Sequence, residues 1–373
     1  MIDELQQPEH PLFEDEAVLD ETEADLAVAP VQYEITSYGA DIDAEGFVNR
    51  LRREDVYIPP FQRDYVWSQR EASRFIESLL LGLPVPGVFL ARGRDSKRLL
   101  VIDGQQRLKT LEFFFDGFFN PQEGAKRKRV FDLQGVQKQF EGKTYATLED
   151  EDRITLNDSV IHATIVKQDS PEGDQSSIYH IFERLNTSGR KLSPQQIRVA
   201  IYHGFVIDAL HAMNDHAPWR EIYGRPSKTL KDEELILRFI ALYFFVRDYT
   251  RPMKDFLNDA TEKLIRRGAD VIPQVKSLFQ STIDFIYASL GSGAFKPERA
   301  INAAVYDSVM VGTARRFQDR PQPRHEAFKE AYHQLLDLKE YIALVSSSTS
   351  DDKNVERRLE LATAAFGDLE DAG

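Results

Sequence analysis

The sequence predicts an α+β protein in which a mixed N-terminal half is followed by an all-helical C-terminal half. Short apolar runs with the alternation of β-strands recur up to residue 167. From about residue 205 onward, nearly all apolar residues follow the 3.6-residue period of a helix. The 373 residues are enough for about two domains. We place these domains at 31–204 and 205–373, after an acidic tail at 1–30 that is expected to be disordered.

The N-terminal half reads as a series of short strands and helices. One helix is marked by a capping box, with Ser68 as N-cap and Glu71 three residues later. Apolar residues at helical spacing follow, and Gly82 and Pro84 end the helix. Strands are predicted at 31–38, 56–58, 85–91, 98–102 and 160–167, and further helices at 42–53, 105–119 and 177–185. The stretch 120–152 is expected to be a polar, turn-rich loop, whose basic cluster at 126–129 is either solvated or contacts phosphate.

The C-terminal half begins with a second capping box. Ser193 is the expected N-cap, Pro194 takes the first helical position and Gln196 the third. Further helices are predicted near 232–247, 254–268, 271–289, 297–318, 323–344 and 353–366. No internal repeat of fixed period is present.

The composition excludes several classes of protein. The chain has no cysteine, which excludes disulfides, thiolate nucleophiles, cysteine zinc sites and iron–sulfur clusters. No apolar run approaches the ~18–20 residues of a membrane span, and the longest, 239–246, reads as a buried helix. The N-terminus lacks the basic region of a secretory signal. We therefore expect a cytoplasmic protein without a membrane partner.

The net charge of -14 is concentrated at one end of the chain. Fourteen of the 61 acidic residues lie within 1–49, which contains no Lys or Arg. The remaining acidic residues equal the 47 basic residues, so the body is neutral and can still present a basic groove to nucleic acid. The acidic tail is either a solvated leader without a role or a regulatory arm that mimics DNA over such a groove.

The segment 58–68 carries a Gln, an Arg and three aromatic residues just before a helix begins. The planar guanidinium of Arg63 suits phosphate, and Tyr65 and Trp67 would stack on a base. Alternatively, Phe61, Tyr65 and Trp67 fill the core while Arg63 pairs with an acid. Residue chemistry alone favours the second interpretation.

A second segment joins a predicted strand directly to a predicted helix at Asp103 and Gly104. Helix N-termini favour anions because they present free N–H groups and the positive end of the helix dipole. Gly104 would let a ligand approach the backbone, Arg107 lies beside the site, and Asp103 would orient a divalent cation. Alternatively, Asp103 is simply the N-cap, with Gln106 at the third helical position. The pattern of a Walker P-loop is absent.

A third segment, 182–198, places polar side chains on a turn between two predicted helices. Gly189 suits the positive φ that such a turn often needs. The segment is either a helix-connecting turn or a loop that contacts a ligand.

Together, these segments resemble the N-terminal domain of GmrSD-type, modification-dependent restriction proteins, which has a ParB/sulfiredoxin-like fold. The resemblance covers roughly residues 35–205, and four motifs agree with the family in order and spacing. The motifs are Ile58-Pro59-x-Phe61-Gln62-Arg63-x-Tyr65-Val66-Trp67-Ser68, Ser78-Leu79-Leu80-x-Gly82-x-Pro84-x-Pro86, Ile102-Asp103-Gly104-Gln105-Gln106-Arg107-Leu108-x-Thr110-Leu111 and Phe182-x-Arg184-Leu185-Asn186-Thr187-x-Gly189-x-x-Leu192-Ser193.

The resemblance implies a prokaryotic defence protein against phage or foreign DNA that binds and hydrolyses a nucleoside triphosphate with Mg²⁺. The implied catalytic residues are Asp103, Gln105, Gln106 and Arg107. The implied nucleotide-binding residues are Gln62, Arg63, Trp67, Gly104, Asn186 and Thr187. In this interpretation Arg63 and Arg107 hold phosphate in one cleft, and Asp103 orients Mg²⁺ or the attacking water. Gln105 or Gln106 positions that water or the sugar-phosphate.

The chain departs from many relatives, which carry a C-terminal HNH-type nuclease domain with metal-ligating histidines. His203, His211 and His216 are spaced by 8 and 5 residues, so one helix face cannot present all three. We therefore predict no metal centre among these residues and a short, stand-alone family member, with DNA and a separate nuclease or modification protein as partners. Two alternatives stay open: a nucleotide-switched DNA-binding protein that does not hydrolyse, and a DNA nuclease that acts through the ParB-like fold.

Overall fold

The chain divides into two compact units, which we describe from a computed structural model. The first unit comprises 31–192 together with 196–201, and the second comprises 1–30, 193–195 and 202–373. The structure describes residues 18–19, 34–59, 65–92, 98–121, 127–170, 176–185 and 192–371.

A five-stranded mixed sheet organises the first unit. Its strands are β2 (Glu34–Asp43), β3 (Val56–Tyr57), β4 (Val88–Arg92), β5 (Leu99–Asp103) and β6 (Val160–Ser170), in the order β2-β6-β4-β5-β3. Its helices are α1 (Ala44–Arg52), α2 (Gln69–Leu80), α3 (Gln105–Asp116), α4 (Asp150–Asn157), α5 (Ser176–Leu185) and α6 (Pro194–Ile201). β6 pairs antiparallel with β2 and parallel with β4, and β5 pairs antiparallel with β4 and parallel with β3. The mixed α and β character predicted for this half is confirmed, and the ParB-like topology stays a prediction.

The core of this unit lies between one face of the sheet and α1, α2 and α3. Alternate strand residues such as Leu90, Val101 and Ala163 point into it, since successive side chains of a strand face opposite sides. α5 contacts β5 and β6, and its Tyr179 and Phe182 are fully buried. The position of α3 at the end of β5 places the candidate site at the edge of this packed core.

Most local signals in this unit are confirmed. The capping box at α2 is present, with the Ser68 amide donating to Glu71 Oε2 at 2.7 Å and the Glu71 amide donating to Ser68 Oγ at 3.3 Å. The helix predicted at 105–119 ends earlier, at Asp116, because Gly117 is its C-cap with a positive φ of 79°. α4 lies at the end of the stretch predicted to be a loop. Its helical period was hard to recognise because only Leu156 is buried, although three acidic residues in its first turn suit the helix dipole.

The second unit is almost entirely helical, as predicted. Its helices are α7 (Phe205–Asn214), α8 (Ala217–Tyr223), α9 (Lys231–Phe245), α10 (Met253–Arg267), α11 (Ile272–Leu290), α12 (Ala303–Asp319), α13 (His325–Asp337), α14 (Lys339–Ser346) and α15 (Asp352–Gly367). The apolar run that begins at Phe239 lies in α9, which packs against α12. None of the helices in the described ranges is long and apolar enough to cross a membrane.

Two helix boundaries in this unit differ from the predicted ones. The helix predicted from 297 begins only at Ala303, because Asn302 is its N-cap and accepts from the amides of Ala304 and Val305 at 2.9 and 3.1 Å. The single helix predicted at 323–344 is interrupted at Leu338, whose backbone is extended. No Gly or Pro marks this interruption in the sequence, so the helical period alone could not reveal it.

Part of the predicted disordered tail is a strand. Val18–Leu19 forms β1 and pairs in parallel with β7 (Ile301–Asn302), in the register Val18 to Ile301. Valine and leucine form an apolar pair within an acidic stretch, and this composition favours pairing over solvation. The prediction of disorder for 1–30 is therefore wrong at these two residues, and the rest of that tail lies outside the described residues.

Two histidines of the second unit, His211 and His216, pair with separate acids. His211 Nδ1 lies 2.6 Å from Glu233 Oε1, and His216 Nε2 lies 2.5 Å from Asp284 Oδ1. Within the described ranges, no group of three or more His, Asp and Glu side chains is placed to hold a metal ion.

We expect the His211 pair to make stability depend on pH. The hydrogen bond to Glu233 raises the pKa of His211 above its usual 6.5, against the opposing effect of burial. The pair therefore stabilises the fold fully below about pH 6.5, and this contribution is lost as pH rises through the raised pKa. Urea unfolding of the wild type and His211→Gln should differ most at about pH 6, by less than about 1 kcal/mol because the ring is half exposed. A difference that grows with rising pH would contradict this assignment.

Candidate functional site

The turn between β5 and α3 forms the centre of the candidate site. The strand ends at Asp103, whose side chain is half exposed, and Gly104 is the N-cap of α3 in the left-handed conformation, with φ of 100°. A Cβ at Gly104 would lie 2.5 Å from Val88 Cγ1, so only glycine fits here. The expected space for a ligand on this side of Gly104 is therefore filled by Val88. The alternative in which Asp103 is the N-cap is wrong, because the chain turns at the glycine one residue later.

The side chain of Arg107 is directed to the start of its own helix. Its NH2 nitrogen donates to the carbonyl oxygen of Gly87 and to Asp103 Oδ2, both at 2.9 Å. The Arg107 side chain is 16% exposed and that of Asp103 is 51% exposed. The guanidinium of Arg107 is therefore mostly buried, and its carboxylate partner faces solvent.

Two polar atoms of this turn are buried without a hydrogen bond. They are Gln105 Oε1, an acceptor, and Arg107 Nε, a donor, and neither has a partner in the described part of the chain. A buried polar group left unpaired costs ~1–3 kcal/mol, so such groups usually meet water or a ligand. Their occurrence two residues apart at the start of one helix indicates a polar ligand or ordered water at this place.

Gln106 connects two motifs that lie 40 residues apart. Its Oε1 accepts from the backbone amides of Val66 and Trp67, at 3.1 and 3.4 Å. One turn later, Thr110 donates to the Gln106 carbonyl at 2.7 Å and lies 2.6 Å from the Tyr65 hydroxyl. The segment before α2 is therefore fastened along α3, and the Gln106 amide oxygen is engaged by the backbone.

Two aromatic residues of this segment have different environments. Tyr65 is buried, its ring packs edge to face on Phe113 and Phe119, and burial raises its pKa to about 12. The interpretation of Tyr65 as a core residue is confirmed, and a role in base stacking is wrong. Trp67 is half buried, edge to face with Phe75 at 5.7 Å, so its role in nucleotide binding stays a prediction.

Several predicted site residues lie outside the described residues. They are Gln62, Arg63, Asn186 and Thr187, together with Gly189. The structure brings Asp103, Gly104, Gln105, Gln106 and Arg107 together at one turn and joins the backbone of Trp67 to it. The convergence of Arg63 with Arg107 stays a prediction.

Sequence reasoning missed one residue that positions the site. The carbonyl of Gly87 holds Arg107, and a Cβ at Gly87 would lie 2.6 Å from the carbonyl oxygen of His162 on the neighbouring strand. Gly87 directly follows the motif that ends at Pro86, and a glycine at the start of a predicted strand signals a close approach of backbones.

Residues 45–203 match the family described as GmrSD restriction endonuclease, N-terminal domain. The match covers less than half of the chain, and it indicates that this part resembles the N-terminal domain of restriction and defence proteins. The matched range contains strands β3 to β6 of the sheet and the candidate site, and it begins after β2. A comparison with curated proteins found no match to the chain.

Substitution of Gln106 tests its connecting role. We expect Gln106→Leu to release the amides of Val66 and Trp67 and to lower the free energy of unfolding by ~0.5–1.5 kcal/mol, because these hydrogen bonds are lost at a half-exposed site where water reaches the freed amides. Hydrogen exchange at these two amides should become faster in Gln106→Leu and stay slow in Gln106→Glu, which keeps an acceptor oxygen. Equal protection in both variants would show that the bond does not hold the segment.

Proposed function

We propose that the turn between β5 and α3 binds and hydrolyses a nucleoside triphosphate, in a prokaryotic defence protein that acts on DNA. The observation that carries this proposal is the position of Arg107 at the helix start, beside a solvent-facing carboxylate and two unpaired buried polar atoms. Helix N-termini attract phosphate through their amides and dipole, and α3 begins at this turn.

Each side chain of the turn has a function suited to its atoms. Arg107 would neutralise phosphate charge, and Gln105 Oε1 would accept a hydrogen bond from water or a sugar hydroxyl. Mg²⁺ is often held by one carboxylate when phosphates supply its other ligands, and the half-exposed Asp103 offers such a carboxylate. The ion would supply charge neutralisation at the phosphates. Gln106 would act through the backbone of 66–67, as a positioning residue, because its amide oxygen is already engaged there.

The direct test is phosphate release by the full chain from ATP, GTP, CTP and UTP with Mg²⁺, with and without DNA. We expect release from at least one nucleotide. Binding without release would favour the nucleotide-switched DNA-binding protein. Cleavage of modified or unmodified plasmid with Mg²⁺ and no nucleotide would favour the nuclease. Absence of binding to all four nucleotides would overturn the proposal.

A matched control for this assay is Arg153→Ala on α4. Arg153 is also an arginine of the first unit paired with a nearby aspartate, Asp150, at 2.6 Å, but it lies far along the chain from the turn. Its loss should leave phosphate release unchanged.

A further inference from the structure

The ion pair between Asp103 and Arg107 has a consequence for the form of nucleotide that the site accepts. We propose that this pair makes the site selective for the metal-bound nucleotide, because a divalent cation at Asp103 releases Arg107 for the phosphate. This inference rests on the proposed function of the turn.

The hydrogen-bonding capacity of Arg107 is the first step of the argument. A terminal guanidinium nitrogen carries two N–H groups. At Arg107 NH2, these two groups are matched by two acceptors at 2.9 Å, the Gly87 carbonyl and Asp103 Oδ2. While the pair is closed, this nitrogen has no N–H left for a phosphate oxygen.

The charge of the pair is the second step. With Asp103 beside it, Arg107 presents no net positive charge to an incoming phosphate, and the carboxylate repels that phosphate. A cation bound to Asp103 cancels this repulsion and replaces Arg107 as the partner of the carboxylate. The positive charge of Arg107 is then no longer neutralised.

The exposures of the two side chains are the third step. Asp103 is 51% exposed and can be reached by a hydrated cation, whereas Arg107 is 16% exposed. The bond to the Gly87 carbonyl keeps the guanidinium in place while its other partner is exchanged. Release therefore needs only a local change at one N–H group.

The predicted effect on nucleotide affinity is opposite to that for an ordinary metal ligand, whose removal would only weaken binding. Removal of the Asp103 charge should improve binding of metal-free nucleotide, because the charge of Arg107 is then no longer neutralised and no carboxylate repels the phosphate. We expect Asp103→Asn to bind a fluorescent nucleoside triphosphate analogue in EDTA roughly tenfold more tightly than the wild type. The gain on adding Mg²⁺, large in the wild type, should fall to about onefold to threefold in this variant.

Two measurements on the full chain decide the matter. The first is titration of the wild type and Asp103→Asn with the analogue, in EDTA and in Mg²⁺. Equal metal-free affinities with the same gain from Mg²⁺ would overturn the inference while leaving the proposed nucleotide site intact. No binding to either protein would overturn both.

The second measurement needs no nucleotide. Phenylglyoxal modifies accessible arginines, and mass spectrometry reports the extent at each site. Modification of Arg107 should be severalfold greater in Asp103→Ala than in the wild type, with Arg153 unchanged. An equal rate at Arg107 in the two proteins would contradict masking of Arg107 by the ion pair, whether or not the site binds nucleotide.

Discussion

Arg107→Ala is expected to weaken nucleotide binding by roughly 30- to 1000-fold. Loss of a charge-assisted contact to phosphate within a cleft costs ~2–4 kcal/mol. The free energy of unfolding should change by about 1 kcal/mol or less, because the partner carboxylate is half exposed and its ion pair is screened by solvent. Nucleotide titration and thermal melting of the same preparation separate these two effects.

Titration and melting of further variants show whether Arg107 has a structural role. Arg153→Ala is the control for loss of an arginine elsewhere in the unit, and Arg107→Lys, which keeps the charge but not the planar fork, should bind at an intermediate level. A variant Arg107→Ala that melts normally and still hydrolyses at the parent rate would remove Arg107 from the site. A large loss of stability would instead make Arg107 a structural residue.

Asp307→Asn is expected to destabilise the second unit by ~3–5 kcal/mol, the largest loss of stability that we predict. Asp307 is fully buried on α12 and is the carboxylate partner of two buried arginines. Arg238 Nε and NH2 lie 3.1 and 2.7 Å from its two oxygens, and Arg358 NH2 lies 3.1 Å from Oδ2. The asparagine keeps the volume but removes the negative charge that compensates two buried positive charges.

An exposed ion pair of the same unit is the matched control for this loss. Glu340 lies 2.7 Å from Arg357, and both side chains are about half exposed. Glu340→Gln should change the free energy of unfolding by less than about 1 kcal/mol, because solvent screens such pairs. Urea unfolding of both variants gives the comparison. Similar small losses in both would mean that the buried cluster is hydrated or otherwise compensated.

Signals carried by neighbouring residues were predictable from the sequence. The capping box of Ser68 and Glu71 and the start of α3 directly after Gly104 each depend on bonds or conformations within a few residues. The same holds for the identification of the Asp-Gly-Gln-Gln-Arg segment as a turn beside a helix N-terminus. Where such signals were weak, as at α4 and at the interruption near Leu338, the prediction was incomplete.

The roles of individual side chains at the site required the folded chain. Gln105 or Gln106 was expected to position water or sugar-phosphate, and the structure shows the amide oxygen of Gln106 bonded to the backbone at 66–67. Arg107 was expected beside the turn, but its bond to Gly87, 20 residues earlier, could not be predicted from local spacing. Burial of Tyr65 against Phe113 and Phe119 likewise depends on how α3 packs.

The sequence by itself determined the order of elements, the division into a mixed and a helical half, and the segments that carry the family's motifs, because these follow from period, capping and turn chemistry along the chain. Only the tertiary structure decided which side chains meet across 20 to 70 positions, as Arg107 meets Gly87 and Arg238 meets Asp307. The physical reason is that a hydrogen bond or ion pair between distant residues exists only where packing of the folded chain brings its two partners within about 3 Å.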